Sequence, residues 1–483
     1  MAPTMVDAAL NGQEMTKATC GVGDGGEKFA PSAWGDFFIT YTSEEWMRQR
    51  SELLKKQVRQ DFNASIDNMG VADLVTYVDT LERLGIDNHF SDLIEAALNR
   101  IRTEESESDE VSKSLHIVAL RFRLLRQHNV WVSADVFEKF RDGGSFSTSL
   151  CSDPRGLLSL YNAAHMAIPG EVALDNAIAF ARGHLEAIKG KVKSPIAEQI
   201  SRALDITLPR FTRRLETMHY IAEYEHEEAH DSLLLELSRL NFNLVRALHL
   251  KELKALSLWD ENEVSILPEY LRTLYIKTLG NFKEFEDSLE QNKKYRMTYA
   301  KNAYKLSSQN YLREAIWSSQ KYQPSFTEHE EVSIMSSGLP MLTIITLMGY
   351  GDVATQEVFE WVSGVPEMVR AGSQVTRFLN DLSSYKLGKH KKDMPSAVET
   401  YMIEKGLTGE EAVAEIAALL ENRWRILNQT NMDIDRSLFP AAQVVVNMAR
   451  TNEIIYLHGR DAYTFGDDLK DLVTTLFLRP VPL

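Results

Sequence analysis

Cysteine is almost absent from this chain: Cys20 and Cys151 are the only two in 483 residues. They are too few and too far apart for a disulfide framework or a zinc knuckle, which fits a reducing compartment. Positive charge is also short, with 53 Lys and Arg against 69 Asp and Glu and a net charge of −16. Such a surface repels phosphate backbones, so nucleic acid is excluded as an expected partner. Long apolar runs are missing as well. The longest candidate, around Leu339 to Met348, is short and contains Pro340, so a core helix is expected and no membrane span. The first 28 residues have no Arg and no apolar h-region, and they resemble neither a signal peptide nor a transit peptide. A flexible tail (1–28) on a cytoplasmic protein is the expectation.

What is present is helical periodicity. Hydrophobic residues make up 44% of the chain, enough for a real core. From Glu44 onward apolar positions recur at helical spacing. Leu234, Leu237, Leu244 and Leu248 share one face, widened by Leu240 and Val245. Similar stripes run around Leu53, Val71 to Leu84, Leu115 to Leu125 and Val413 to Leu427, and alternating strand patterns are absent. The fold class is all-α. Breaks fall at Asp142-Gly-Gly-Ser, Ile168-Pro-Gly and Gly351-Asp, and Leu208-Pro-Arg-Phe-Thr-Arg-Arg marks a junction. Two helical domains follow, at about 29–208 and 209–483.

Two motifs point to metals. His226-Glu-Glu-Ala-His230 spells HExxH, which on a helix would put two zinc ligands on one face with Glu227 as general base. Its acidic neighbours Glu223, Glu225, Glu228 and Asp231 instead suggest a solvated, charged helix start, and a zinc peptidase remains only a remote alternative. Asp467-Asp-Leu-Lys-Asp471 spells DDxxD, a pattern that can hold Mg²⁺. It follows a Tyr-Thr-Phe-Gly loop near the C-terminus, where Asp suits a helix N-terminus without any metal.

Several stretches then occur in one order: Phe29-Ala-Pro-Ser-Ala-Trp-Gly-Asp-Phe-Phe38, Leu157-Leu-Ser-Leu-Tyr-Asn-Ala-Ala164, Leu237-Ser-Arg-Leu-Asn-Phe-Asn-Leu-Val245, Leu267-Pro-Glu-Tyr-Leu-Arg, Ser336-Ser-Gly-Leu-Pro-Met341 and Asp461-Ala-Tyr-Thr464. The ordered set resembles plant terpene synthases across nearly the whole chain. The resemblance implies an N-terminal α-barrel-like domain and a class I terpenoid synthase α-bundle. It further implies Mg²⁺ (or Mn²⁺) as cofactor and farnesyl diphosphate or a related prenyl diphosphate as substrate, in a monomer. Arg377-Phe-Leu-Asn-Asp-Leu-Ser-Ser-Tyr-Lys-Leu-Gly388 resembles the family's second metal motif. On it, Asn380, Asp381 and Ser384 are the implied metal-site residues, at a spacing that would align ligands on one helix face. The third ligand position is Gly388, which offers no side-chain oxygen. Arg377 matches the diphosphate-binding arginine, and Ser336, Ser337 and Gly338 match the family's broken helix. Tyr456, Asp461 and Tyr463 match its C-terminal pocket group. A basic run, Lys386, Lys389, His390, Lys391 and Lys392, suits either an anionic substrate or a solvated helix C-terminus.

One part of the family pattern is missing. Trp259 runs straight into Asp260-Glu-Asn-Glu-Val-Ser-Ile-Leu-Pro268, so that two tryptophan contexts are fused at about 259/260. The Arg-x-Arg loop and the aspartate-rich segment that the family carries between them are gone. No twin arginines precede Trp34, which favours the sesquiterpene branch. The expectation is a sesquiterpene synthase homologue that is inactive or severely impaired, with a non-catalytic prenyl-diphosphate- or protein-binding homologue as the alternative.

Overall fold

Where the sequence shows a 3.6-residue stripe, the chain is helical. The computed structural model describes residues 45–103, 114–227, 229–257, 269–388, 396–479 and 481–482, all within one unit, Phe38–Leu483. The N-terminal tail, the Phe29–Phe38 motif, the junction at 259/260 and the Lys389–Lys392 run lie outside the described residues.

The first helices are α1 (Glu45–Ser65), α2 (Val71–Arg83), α3 (Ser91–Thr103) and α4 (Leu115–Gln127). Helix α4 starts on Ser114, whose hydroxyl accepts from the Ile117 amide. It serves two cores. Leu120, Leu124 and Leu125 pack with α1, α2 and α3, whereas Leu115, Ala119 and Phe122 pack with α5 (Pro154–Ala164), α6 (Val172–Ile188) and α7 (Ile196–Asp205). Asp153 caps α5 and Pro154 opens it, the pairing that a helix N-terminus favours. The Asp142-Gly-Gly-Ser break forms a two-stranded ribbon, β1 (Arg141–Asp142) and β2 (Ser145–Phe146). Gly143 and Gly144 take positive φ there, as a tight hairpin requires.

Helices α8 (Arg213–Tyr224) and α9 (Ser232–Ser257) follow the Leu208–Arg210 turn, yet they add Tyr220, Ile221, Leu234, Leu237 and Leu240 to the α1–α4 core. The predicted α9 stripe is buried only in its first half. Leu244 and Val245 are half-buried, and Leu248 is 52% exposed.

The C-terminal group comprises α10 (Glu269–Ser288), α11 (Arg296–Gln320), α12 (Phe326–Ser336), α13 (Leu339–Met348), α14 (Gln356–Ser363), α15 (Glu367–Lys386), α16 (Ala397–Lys405), α17 (Gly409–Asp433) and α18 (Phe439–Ile455). A third core holds it together around Val375, Phe378, Ile416, Trp424 and Val445. Capping boxes start α16 (Ser396 with Glu399) and α17 (Thr408 with Glu411). Phe326–Met348 is, by length and composition alone, long and apolar enough to cross a membrane. That run is longer than the sequence suggested, but Gly338, at φ +79°, breaks it into α12 and α13, and most of it is buried in the core. The N- and C-terminal groups are tied by paired contacts from Arg210 to Glu421 (2.6 and 2.7 Å) and by Asn428 donating to the His165 and Ala167 carbonyls.

Candidate functional site

The α12/α13 break decides where a cavity forms. Residues 336–338 cannot continue one helix once Gly338 is left-handed, so the chain turns and α13 restarts on Leu339-Pro340. Ser337 stabilises the turn, its hydroxyl donating to the Ile334 carbonyl (2.8 Å) and accepting from the Leu339 amide (3.3 Å). The Gly338 carbonyl is taken up by the Leu342 amide at 2.8 Å. A cavity of about 480 Å³ opens against this turn, between α11, α15 and α18.

Helix α15 presents Thr376, Arg377 and Asn380 to the cavity; α18 presents Met448 and Asn452. Tyr311 of α11 and Tyr456 and Tyr463 beyond α18 supply aromatic walls. The sequence-derived residues Ser336, Ser337, Gly338, Arg377, Asn380, Tyr456 and Tyr463 therefore share one cavity. Asn380 donates to the Tyr456 hydroxyl at 3.1 Å, and Asn452 donates to Thr376 at 3.1 Å. Tyr456 and Tyr463 meet edge to face at 6.3 Å. Burial first, then the nearby Asp461, pushes both phenols above their ordinary pKa, so they stay protonated at neutral pH. Tyr463 is 72% exposed, Tyr311 54% and Leu342 44%, so apolar groups stand uncovered at the mouth.

Among the described residues lining the cavity, Arg377 is the only charged one. It is already shared: Asp381 lies 3.0 Å from Nε and Glu314 3.6 Å from Nη1. Burial works against its charge, but the two carboxylates outweigh burial and raise its pKa. Ser336 donates to the same Glu314 at 2.6 Å. Glu314, Tyr311, Thr376 and Asn452 were not anticipated from sequence. Only the i, i+4 spacing of Thr376 and Asn380 hinted at a shared face.

Other expected site residues sit elsewhere. Asp381 is buried beneath the cavity, where it pairs with Arg377 and accepts from the Ala397 amide at 2.8 Å. Asp461 clasps its own loop, accepting from the Tyr463 amide (3.0 Å) and the Thr464 hydroxyl (2.5 Å). Ser384 is half-buried one turn beyond Asn380. Gly388, at φ +70°, lies past the end of α15 and terminates it.

These residues do not fit a resident Mg²⁺. The ion prefers near-octahedral oxygen ligands and usually carboxylates. Asn380 and Ser384 are neutral, Asp381 is occupied and Gly388 has left the helix. Among the described residues no group of three His, Cys, Asp or Glu converges anywhere. The HExxH string fares no better. It lies in the turn between α8 and α9, not at a helix start, and His226 and His230 bond the Ala222 and Glu227 carbonyls. Asp467 and Asp468 open a short 3₁₀ turn, where Asp468 accepts from Arg460 at 2.7 Å.

Comparison with known proteins bears on the same surface. Residues 32–204 match the model "Terpene synthase, N-terminal domain", and residues 250–426 match "Terpene synthase family, metal binding domain", a description that implies divalent-metal dependence in that family. The eudesmanediol synthase of Zea mays is 65% identical over an alignment of 549 positions, covering 96% of this chain and 98% of that protein. The α-copaene synthase of Zea mays is 38% identical, covering 94% and 99%. Isoprene synthase of grey poplar (Populus x canescens), solved with three Mg²⁺ ions and dimethylallyl-S-thiolodiphosphate, superposes with a TM-score of 0.79. It is 24% identical, and the match covers 91% of this chain and 98% of that one.

Proposed function

The chain belongs to the terpene synthase family, and from that premise we propose that it is a sesquiterpene synthase homologue whose ionising step is severely impaired. Its substrate in this reading is a prenyl diphosphate, with farnesyl diphosphate the first to test. The observation that carries the reading is the cavity's described lining: one shared arginine, neutral amides and hydroxyls, and no carboxylate, where the family uses divalent ions. A second observation supports a lost segment. The alignment with eudesmanediol synthase spans 549 positions against 483 residues here, so at least 66 positions have no counterpart in this chain. The fused tryptophan context supports placing that loss at about 259/260.

The chemistry explains why the donor set matters. Breaking the carbon–oxygen bond leaves a diphosphate with concentrated negative charge and an allylic cation. The apolar wall of Leu339, Met341, Leu342 and Met448 suits the hydrocarbon chain. The faces of Tyr311, Tyr456 and Tyr463 suit a cation. Among the described lining residues the diphosphate meets one cation, Arg377, and must share it with Asp381 and Glu314. Electrostatic stabilisation of the leaving group is the largest part of such catalysis, and here it is nearly absent.

The test is incubation of folded protein with farnesyl diphosphate and Mg²⁺, with Mn²⁺ in parallel, followed by gas chromatography of the volatiles. Turnover is expected at least about a thousandfold below a full-length relative, equivalent to ~4 kcal/mol of lost stabilisation. Turnover comparable to the relative overturns the proposal. Tight binding of a non-hydrolysable diphosphate analogue, without product, would move the reading to a binding homologue.

A further inference from the structure

A second cavity, of about 290 Å³, lies away from this pocket, in the seam where α2, α4 and α8 meet α18. Four arginines line it against three carboxylates. Each carboxylate already has its cation: Glu82 pairs with His128, Asp87 with Arg213 at 2.8 Å, and Glu216 with Arg83 at 2.7 Å. Arg123 finds Asp79 just outside the cavity. Arg450 has no carboxylate partner among the described residues. Its Nε donates to the Pro209 carbonyl at 2.8 Å and its Nη1 to Asn447 Oδ1 at 3.1 Å, both neutral.

Among the described residues, then, the seam holds a guanidinium with no ion pair of its own, with Glu82 the carboxylate that acts on it through space. Burial, with Arg213 next to it, pushes the Arg450 guanidinium down to about 10. Neutral donors line the same cavity. Gln443 lies two turns before Arg450 on the same face of α18. Gln127 has its Oε1 taken by Arg123 at 2.6 Å, which leaves its amide N–H groups to donate. A guanidinium that shares a cavity with two amides matches an oxyanion better than it matches a cation or an apolar group.

We infer that this seam binds a small phosphate-class oxyanion, with Arg450 as its charge partner and Gln443 beside it. The site shares no lining residue with the prenyl-diphosphate pocket, to which α18 gives Met448, Thr451 and Asn452. An anion held there would bridge residues of the N- and C-terminal helix groups, and so would stabilise their junction by mass action.

The experiment is thermal unfolding of the full chain in sodium phosphate, sodium diphosphate and sodium chloride at matched ionic strength, with calorimetric titration of phosphate alongside. Phosphate is expected to raise the melting temperature saturably, and chloride is not. The phosphate and diphosphate arms separate inorganic phosphate from a reaction product as the source. Gln443→Glu puts a carboxylate within reach of Arg450. It is expected to keep the fold and weaken phosphate at least about tenfold. Arg377→Gln is expected to leave phosphate binding unchanged. No saturable shift in the wild type, an undiminished one in Q443E, or its loss in R377Q would each overturn the inference.

Discussion

Both halves of the molecule bury arginines next to a cavity, but they use them in opposite ways. In the N-terminal half, Arg83, Arg123 and Arg202 pair with Asp79, Glu216 and Glu223 around a space of only about 80 Å³. Gln199 donates to Glu223 at 3.1 Å, and Arg83 stacks 3.7 Å from the Tyr220 ring. Each of these six charges has an ionic partner, so the network cross-links α2, α4, α7 and α8 and leaves little room for a ligand. In the C-terminal half one arginine stands at the wall of a cavity of about 480 Å³ with neutral donors and exposed aromatics. A saturated network fixes a fold. An open one waits for a ligand to complete it.

Removing a partner from the saturated network should produce the largest effect. Arg83→Met leaves Glu216 and Glu223 buried with a single remaining arginine, and should cost about 3 kcal/mol, read as a lower denaturant midpoint. A loss below about 1 kcal/mol would mean that the network is not what holds these helices. In the open cavity the corresponding change should add function. Asn380→Asp places a carboxylate one turn before Ser384 and should tighten Mg²⁺ about tenfold by calorimetric titration. Unchanged affinity would show that neutral donors are not the limiting defect.

A smaller effect separates the missing ligand from its missing place. Gly388→Glu restores the family's carboxylate by name but puts it at φ +70°, beyond the end of α15. It should destabilise by about 1 kcal/mol and leave turnover with Mg²⁺ unchanged. A gain in turnover would mean that α15 extends when the carboxylate is present. The smallest effect concerns the Glu82–His128 pair in the seam. Burial opposes ionisation of Glu82, but His128 outweighs it and brings the carboxyl down to about 2; burial likewise opposes the imidazolium, and Glu82 outweighs it and raises His128. The depressed Glu82 contributes stability above its ordinary value of 4.5 and loses it as pH falls toward 2. The raised His128 contributes below its ordinary 6.5 and loses it as pH climbs through the folded value. The stability difference between wild type and His128→Gln should therefore peak between these two values, at less than about 1 kcal/mol. A flat difference across that range would remove the pair from the seam's energetics.

How much of this was legible in advance varies by region. The α1, α2, α4 and α17 stripes and the Gly338 break could be read because local spacing and glycine's backbone freedom act within a few residues. The grouping of Ser336, Arg377, Asn380, Tyr456 and Tyr463 came from the resemblance to a family, and their separation along the chain gives no local sign of it. Asp381 and Asp461 looked like site carboxylates because of their neighbours in sequence. Whether a carboxylate faces a cavity or caps a backbone amide depends on which way a helix or loop is turned. Glu314 was invisible for the same reason, since it is one acid among many until Arg377 and Ser336 meet it.

Composition and periodicity by themselves determined an all-α chain with an acidic surface, because the hydrophobic stripe that buries a helix is written every 3.6 residues. They also determined that Gly388 could not bind a metal, because a missing side chain is a chemical fact before any folding. Only the tertiary structure decided that Asp381 is spent on Arg377 and Ala397, that α8 and α9 complete the N-terminal core, and that Arg450 has no ion pair among the described residues. Pairing of charges is a contest among groups brought together from distant segments, and its outcome exists only once the helices have packed.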